Sequence, residues 1–372
     1  ALGTFAAAPT IMGDALSTTR AAGMYSVERR NSNTELWLKV NDTTAGLLGK
    51  TLTWNGGSAE WNQTSTGLWT GGATQYLTGD HVNFTGGGDD IVTFTNNGVA
   101  PASVTVNNTG AFHFDNSGTG NGPGITGDTG VVKEGTGSLT IAGTHSYKGT
   151  TDIKQGIVIV TGDLRRADGK IFVRSGAILG GKGHIGGEVQ VAGGGCLSLL
   201  GNLPGVAGPD TNYTLSFSNN VIIAPGAAIV LNIKGNNATG YEHDVLNFTN
   251  AGANKLTLTG GTLYVNINYT GGVSDIPEFA LSVVTGAILN YDDVKSLNIV
   301  PCMIGGNGTS VSLLLDINGV LRAGEAVPEP STYGLLSGLV ALGYIIWRRR
   351  KKKQPSAPPT TNQQPNAQRE AP

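Results

Sequence analysis

Six ionisable residues crowd one short stretch of the chain: Asp163, Arg165, Arg166, Asp168, Lys170 and Arg174. Carboxylates among cations are the groups with which polysaccharide lyases and hydrolases work. One acid with a shifted pKa moves the proton, and a cation steadies the developing charge. The same residues also occur wherever charged side chains line solvated turns. We take that second reading and assign no catalytic residue. Asp89-Asp90 behind Gly86-Gly87-Gly88, and Glu242-His243-Asp244, offer oxygen atoms that calcium accepts. Neither has the spacing of a calcium-binding nonapeptide or of a helical-loop site, and both read as surface turns. His81, His113, His145, His184 and His243 show no metal-ligand spacing, so no metal and no cofactor are expected. Asp128-Thr129-Gly130 is the tripeptide of aspartic proteases, but it occurs once, and those enzymes hold a second carboxylate beside the first. Trp54, Trp61 and Trp69 have the faces to stack on sugar rings, which would make an extracellular polysaccharide a partner; packing inside the fold explains them equally well. Cys196 and Cys302 are too few for a disulfide framework and read as two small buried residues. Asn-x-Ser/Thr triplets such as those at Asn41 and Asn268 follow from an Asn- and Thr-rich composition.

Something must position these groups, and composition says what. Only 13% of the 372 residues are charged, against roughly 25% in a typical soluble domain. There are 58 glycines, and glycine accepts positive φ without steric cost. Apolar–polar alternation marks Ile91–Phe94, Ser103–Val106, Leu139–Ile141, Ile157–Val160, Tyr213–Phe217, Ile229–Ile233 and Leu263–Ile267. A period of two residues is the mark of a half-buried strand. Gly, Asn, Asp or Pro separates nearly every pair, and no helical period of 3.6 precedes residue 331. The body is therefore all-β. From about residue 125 to 235 the strands are very short and closely spaced, which suits a β-solenoid whose rungs stack to bury their apolar faces. Residues 241–325 have longer strands, suited to further rungs or to a small sandwich-like cap. Leu36–Asn41 echoes Leu313–Asn318, so residues 1–50 read as closing strands of a preceding β unit, in a chain processed or cut at its N-terminus. Residues 1–327 carry 17 Lys and Arg against 24 Asp and Glu, a net of −7, which offers nucleic acid no electrostatic footprint.

The C-terminal region is built differently. Val327-Pro328-Glu329-Pro330 leads into an apolar run from Tyr333 to Trp347 that includes Leu335, Leu336, Leu339, Val340, Leu342, Ile345 and Ile346. Arg348, Arg349, Arg350, Lys351, Lys352 and Lys353 follow. The run is at the lower limit for crossing a hydrocarbon core of roughly 30 Å. Its terminal aromatics suit the two interfaces, and the basic cluster should remain cytoplasmic. The body then lies outside a membrane spanned by one C-terminal helix. In order and content, residues 326–353 resemble the PEP-CTERM sorting signal of Gram-negative bacteria. That resemblance implies recognition of Pro328, Glu329 and Pro330 by an exosortase, a membrane-embedded cysteine peptidase-transpeptidase, and removal of the anchor. One departure is plain: residues 354–372 continue as a Pro/Gln/Asn/Thr-rich tail that reads as disordered.

The body carries a resemblance of its own. Val131-Val132-Lys133-Glu134-Gly135-Thr136-Gly137-Ser138-Leu139-Thr140-Ile141-Ala142-Gly143, then His145-Ser146-Tyr147-Lys148-Gly149-Thr150-Thr151 and Gln155-Gly156-Ile157-Val158, resembles one autotransporter-associated β-strand repeat. It implies a right-handed parallel β-helix at the cell surface, here placed at residues 51–240. Together these readings describe an exported structural or adhesive scaffold with no catalysis, in contact with polysaccharide or with copies of itself. A glycan-binding module using Trp54, Trp61 and Trp69 is the alternative, and a β-helical lyase or hydrolase is a third.

Overall fold

The alternating positions fall into columns when the chain coils. The computed structural model describes residues 25–30, 35–40, 49–94, 97–118, 122–199, 213–269, 279–304 and 311–323. From Thr51 onward, short strands stack into three sheets. The first runs through Thr51–Trp54, His81–Gly86, Ser103–Asn108, Gly130–Glu134, Thr151–Ile153, Ile171–Val173, Val189–Val191, Val221–Ile223 and Leu256–Leu258. The second begins at Ala59–Trp61 and ends at Asn298–Ile304, and the third joins Asp163–Leu164, His184–Ile185, Thr214–Phe217, Val245–Phe248 and Val284–Thr285. Successive rungs pair in parallel. The all-β, parallel-sheet expectation holds.

Each column has a simple physical content. Val104, Val131, Thr151, Ile171, Val189, Val221 and Leu256 lie one above the next across the first sheet, and all are buried. Burying each aliphatic side chain stabilises by about 1.5–3 kcal/mol, and only the neighbouring rung supplies the cover. At the corner between the first and second sheets the backbones approach too closely for side chains. A Cβ on Gly137 would lie 2.0 Å from the Gly110 carbonyl oxygen. Gly137→Ala should therefore destabilise the protein by about 3 kcal/mol, the upper end for overpacking, read as a lower urea midpoint; an unchanged midpoint would mean that the rungs are not stacked here.

Of the two readings of the later residues, further rungs fit most of the described strands: Val245–Phe248, Leu256–Leu258, Thr262–Tyr269, Val284–Thr285 and Asn298–Ile304 continue the same three sheets. Strands of the second sheet lengthen there, to Ala228–Asn236 and Thr262–Tyr269, and Gly240–His243 folds back antiparallel on the first of these. Asn298–Ile304 ends that sheet, and Pro301 lies within it, consistent with the confinement of proline to edge strands. A three-stranded antiparallel sheet of Phe279–Ser282, Val320–Ala323 and Leu313–Leu315 follows. At the other end Trp69–Gly71 closes the first sheet antiparallel to Thr51–Trp54. Tyr25–Arg30 and Glu35–Val40 make a separate antiparallel hairpin. The Leu36/Leu313 echo thus joins two hairpins, though Glu35–Val40 is the second strand of one and Leu313–Leu315 the first of the other. Among the described residues no helix is long and apolar enough to cross a membrane. Pro328, Glu329, Pro330 and the expected membrane segment at 331–353 lie outside the described residues.

Candidate functional site

The charged residues from Asp163 to Arg174 are divided among separate ion pairs, one within a rung and three between neighbouring rungs. Arg165 clasps both oxygens of Asp163, with Nη2 to Oδ2 at 2.5 Å. Lys148 reaches Asp168 at 3.1 Å, Lys170 reaches Glu188 at 3.0 Å, and Arg174 reaches Asp152 at 2.7 Å. Arg166 offers its carbonyl to the Lys148 ammonium. Arg165 holds the Asp163 carboxyl below its usual range, and hydrogen bonds from Gln190 and then Lys170 do the same for Glu188, the wrong direction for a proton donor near neutrality. Lying at the surface, the pairs add little to stability.

A second arrangement is invisible in sequence order. His184 Nε2 lies 2.7 Å from Ser218 Oγ, and Asp163 stacks beside His184 across the third sheet. This resembles a nucleophile and its base. The chemistry is incomplete, however. Asp163 is occupied by Arg165, and the backbone N–H groups of Ser218 and Thr249 already donate to Ile185 and Phe217, so neither is left to stabilise an oxyanion. The pair belongs instead to a polar ladder in which Ser216, Asn247 and Thr285 are linked.

Trp54, Trp61 and Trp69 are not on the surface. They are 4%, 0% and 1% exposed, and pack with Tyr76 and Phe84 at ring separations of 4.9–6.0 Å. The indoles fill the first of the described rungs. No ring face is left for a sugar, which corrects the glycan-stacking expectation for these three residues. The Glu242-His243-Asp244 reading is likewise replaced. Asp244 is buried and accepts from the Tyr213 N–H at 3.1 Å, the Asn232 N–H at 2.9 Å and Asn232 Nδ2 at 2.6 Å. Burial nevertheless raises its pKa. Asp89 pairs with His113 at 2.9 Å. Thr129 of the Asp-Thr-Gly tripeptide hydrogen-bonds within a turn, to the Pro101 and Thr126 carbonyls. Among the described residues no three metal-ligating side chains gather. Cys196 and Cys302 form no disulfide, and burial pushes the Cys196 thiol up to about 12.

The repeat at 131–158 can be read residue by residue. Lys133 takes an interior position and is fully buried. Its Nζ donates to the Glu134, Gly135 and Gln155 carbonyls at 2.5, 2.8 and 3.3 Å. Burial lowers its pKa to about 8, against the pull of Glu134. Gly135 has φ +70°, which lets the chain turn beneath those carbonyls. Tyr147, buried, hydrogen-bonds Thr151 at 2.8 Å. His145 is fully buried; its Nδ1 accepts from the Ile125 N–H at 3.0 Å while Nε2 faces the Ala142 carbonyl at 3.0 Å. That environment fixes a neutral imidazole and lowers its pKa from 6.5 to about 4. The unfolded chain takes up a proton below 6.5 that the folded chain refuses, so stability should fall as pH drops from about 6.5 to 4. The total is about 3 kcal/mol. Urea midpoints across that range should decline more steeply in the native chain than in His145→Gln; parallel declines would remove His145 as the cause.

Comparison with known proteins adds two findings. Residues 326–351 match the PEP-CTERM protein-sorting motif; the chain carries that signal at the place its Pro-Glu-Pro, apolar and basic segments occupy. The chain is also 32% identical over 173 residues, 44% of its length, to the adhesin BmaC autotransporter of Brucella suis biovar 1 (strain 1330). It spans only 5% of that protein's length.

Proposed function

We propose that the chain is an exported cell-surface scaffold, adhesive or structural in kind. Residues 331–353 hold it at a membrane until an exosortase-type enzyme acts at Pro328-Glu329-Pro330. The observation that carries this reading is the sorting motif joined to a solenoid, supported by the similarity to an adhesin. A solenoid suits the role physically. Each rung is held by its neighbours, so a long surface is displayed with little loss of order when it meets a partner. Engagement of Asp163, Asp168, Lys170 and Arg174 in ion pairs supports a scaffold over an enzyme.

Display on intact cells is the direct test. Protease added outside should cleave the protein in unbroken cells, and an antibody to the body should label them. Protection from protease until the cells are lysed would reject the proposal. Release of reducing or unsaturated sugar ends from polysaccharide by the purified chain would favour the enzymatic alternative.

A further inference from the structure

The corner between the first and second sheets holds a groove of about 490 Å³, lined by the side chains of Asn107, Glu134, Lys154, Gln155 and Ser175. That volume lies within the roughly 300–1,000 Å³ of small-molecule sites, but the lining is amide, hydroxyl and charge, not the aliphatic and aromatic wall that an apolar ligand needs. Such a lining suits a ligand dense in hydroxyl groups.

The charge beneath the groove narrows the class. At the rim, Lys154 and Glu134 pair at 2.9 Å and offset one another. Lys133 lies under the floor, and the carbonyls of Gly135 and Gln155, two of the lining residues, accept from its ammonium. Among the described residues no carboxylate forms an ion pair with it. Next to Gln155, a Cβ on Gly156 would lie 2.3 Å from the Gly137 carbonyl oxygen, 2.5 Å from that of Gly135 and 2.7 Å from the Lys133 Nζ, so only glycine fits beside the ammonium. Three neutral carbonyls hold this buried cation and Glu134 acts on it only through space, so it adds positive potential to the groove, where burial leaves little water to screen it. This occurs on a body that is otherwise net negative.

The geometry points to a binding site for a carboxylate-bearing sugar chain, a uronic-acid polysaccharide, in the groove over Lys133. The site gives the surface scaffold proposed above its ligand class and rests on that reading for its biological setting. The sugar hydroxyls meet Asn107, Gln155 and Ser175, and the uronate carboxylate lies over the buried ammonium.

Calorimetry with the purified full chain tests this, using oligogalacturonides, galacturonate monomer and a neutral malto-oligosaccharide as probes. Oligogalacturonides should bind, more weakly as salt rises, and the neutral oligosaccharide should not. The monomer should bind more weakly than the oligomer, because one ring fills only part of the groove. Ser175→Trp places an indole in the groove from an exposed position and should weaken binding at least about tenfold, with the thermal midpoint unchanged. Glu134→Gln removes the negative charge at the rim and should tighten binding several-fold. Equal binding of the neutral probe, no binding of oligogalacturonides, or affinity indifferent to both substitutions would overturn the assignment. Surface display measured on intact cells separates the two ideas. A displayed chain that binds no uronate loses only the groove, whereas a chain that binds uronate but is never displayed loses only the surface role.

Discussion

Trp61→Ala should remove about 3–5 kcal/mol of stability, the range for deleting a buried aromatic side chain. The loss should be concentrated in the first rungs. Trp61 is fully buried and touches Trp69, Tyr76, Phe84, Phe94 and Phe114. Among the described residues no earlier rung stacks on Ala59–Trp61 to collapse into the space it would leave. In a stacked-repeat protein, stability is approximately a sum of rung and interface terms, so the damage should appear as early melting at Thr51–Trp54 and His81–Gly86 while Ile171–Val173 stays protected. Hydrogen exchange resolves these strands separately. A loss under about 1 kcal/mol with unchanged exchange would put the indole back at the surface and revive the sugar-stacking role. Trp61→Phe should cost much less, because the indole Nε1 has no hydrogen-bond partner to lose.

Trp61 also illustrates where sequence reading stops. The alternation in Gly156–Val160, buried at every second residue, is a local signal and was legible as a strand. Burial of the tryptophans comes from ring contacts with Tyr76 and Phe84, which lie on other segments of the chain, and no local pattern encodes it. Lys133 is harder still. A lysine within a strand ordinarily reads as solvated, and its place in the interior follows from register with Val106 and Ile153 on adjacent rungs. Asp163, Arg165, Asp168, Lys170 and Arg174 were legible as a charged cluster. The partners of Asp168, Lys170 and Arg174 were not, because Lys148, Glu188 and Asp152 reach them from neighbouring rungs. Strands as short as Asp163–Leu164 and His184–Ile185 carry too few residues for any period to show, so the Ser218–His184 contact had no visible antecedent. The parallel architecture was readable from rhythm; the continuation of its sheets beyond residue 240 was not, since longer strands suit a sandwich as well as a rung.

Replacing Pro328, Glu329 and Pro330 together by alanine should abolish sorting almost completely and trap the chain in the membrane fraction with residues 331–353 attached. The physical basis is a division of labour between neighbouring segments. The apolar run from Tyr333 to Trp347 needs only hydrophobicity to partition into lipid, and the six cations from Arg348 to Lys353 resist crossing the bilayer. Neither property changes when the three residues before them do. Membrane arrest should therefore survive in the variant while processing fails, and mass spectrometry should find an intact C-terminus in place of a shortened one. Deleting residues 331–353 should give the opposite result: a chain exported but no longer retained, recovered in the soluble exported fraction. A triple-alanine variant sorted normally would remove the Pro-Glu-Pro segment from recognition. Retention of the deletion variant in the membrane would show that something other than the apolar run and its basic collar holds the protein there.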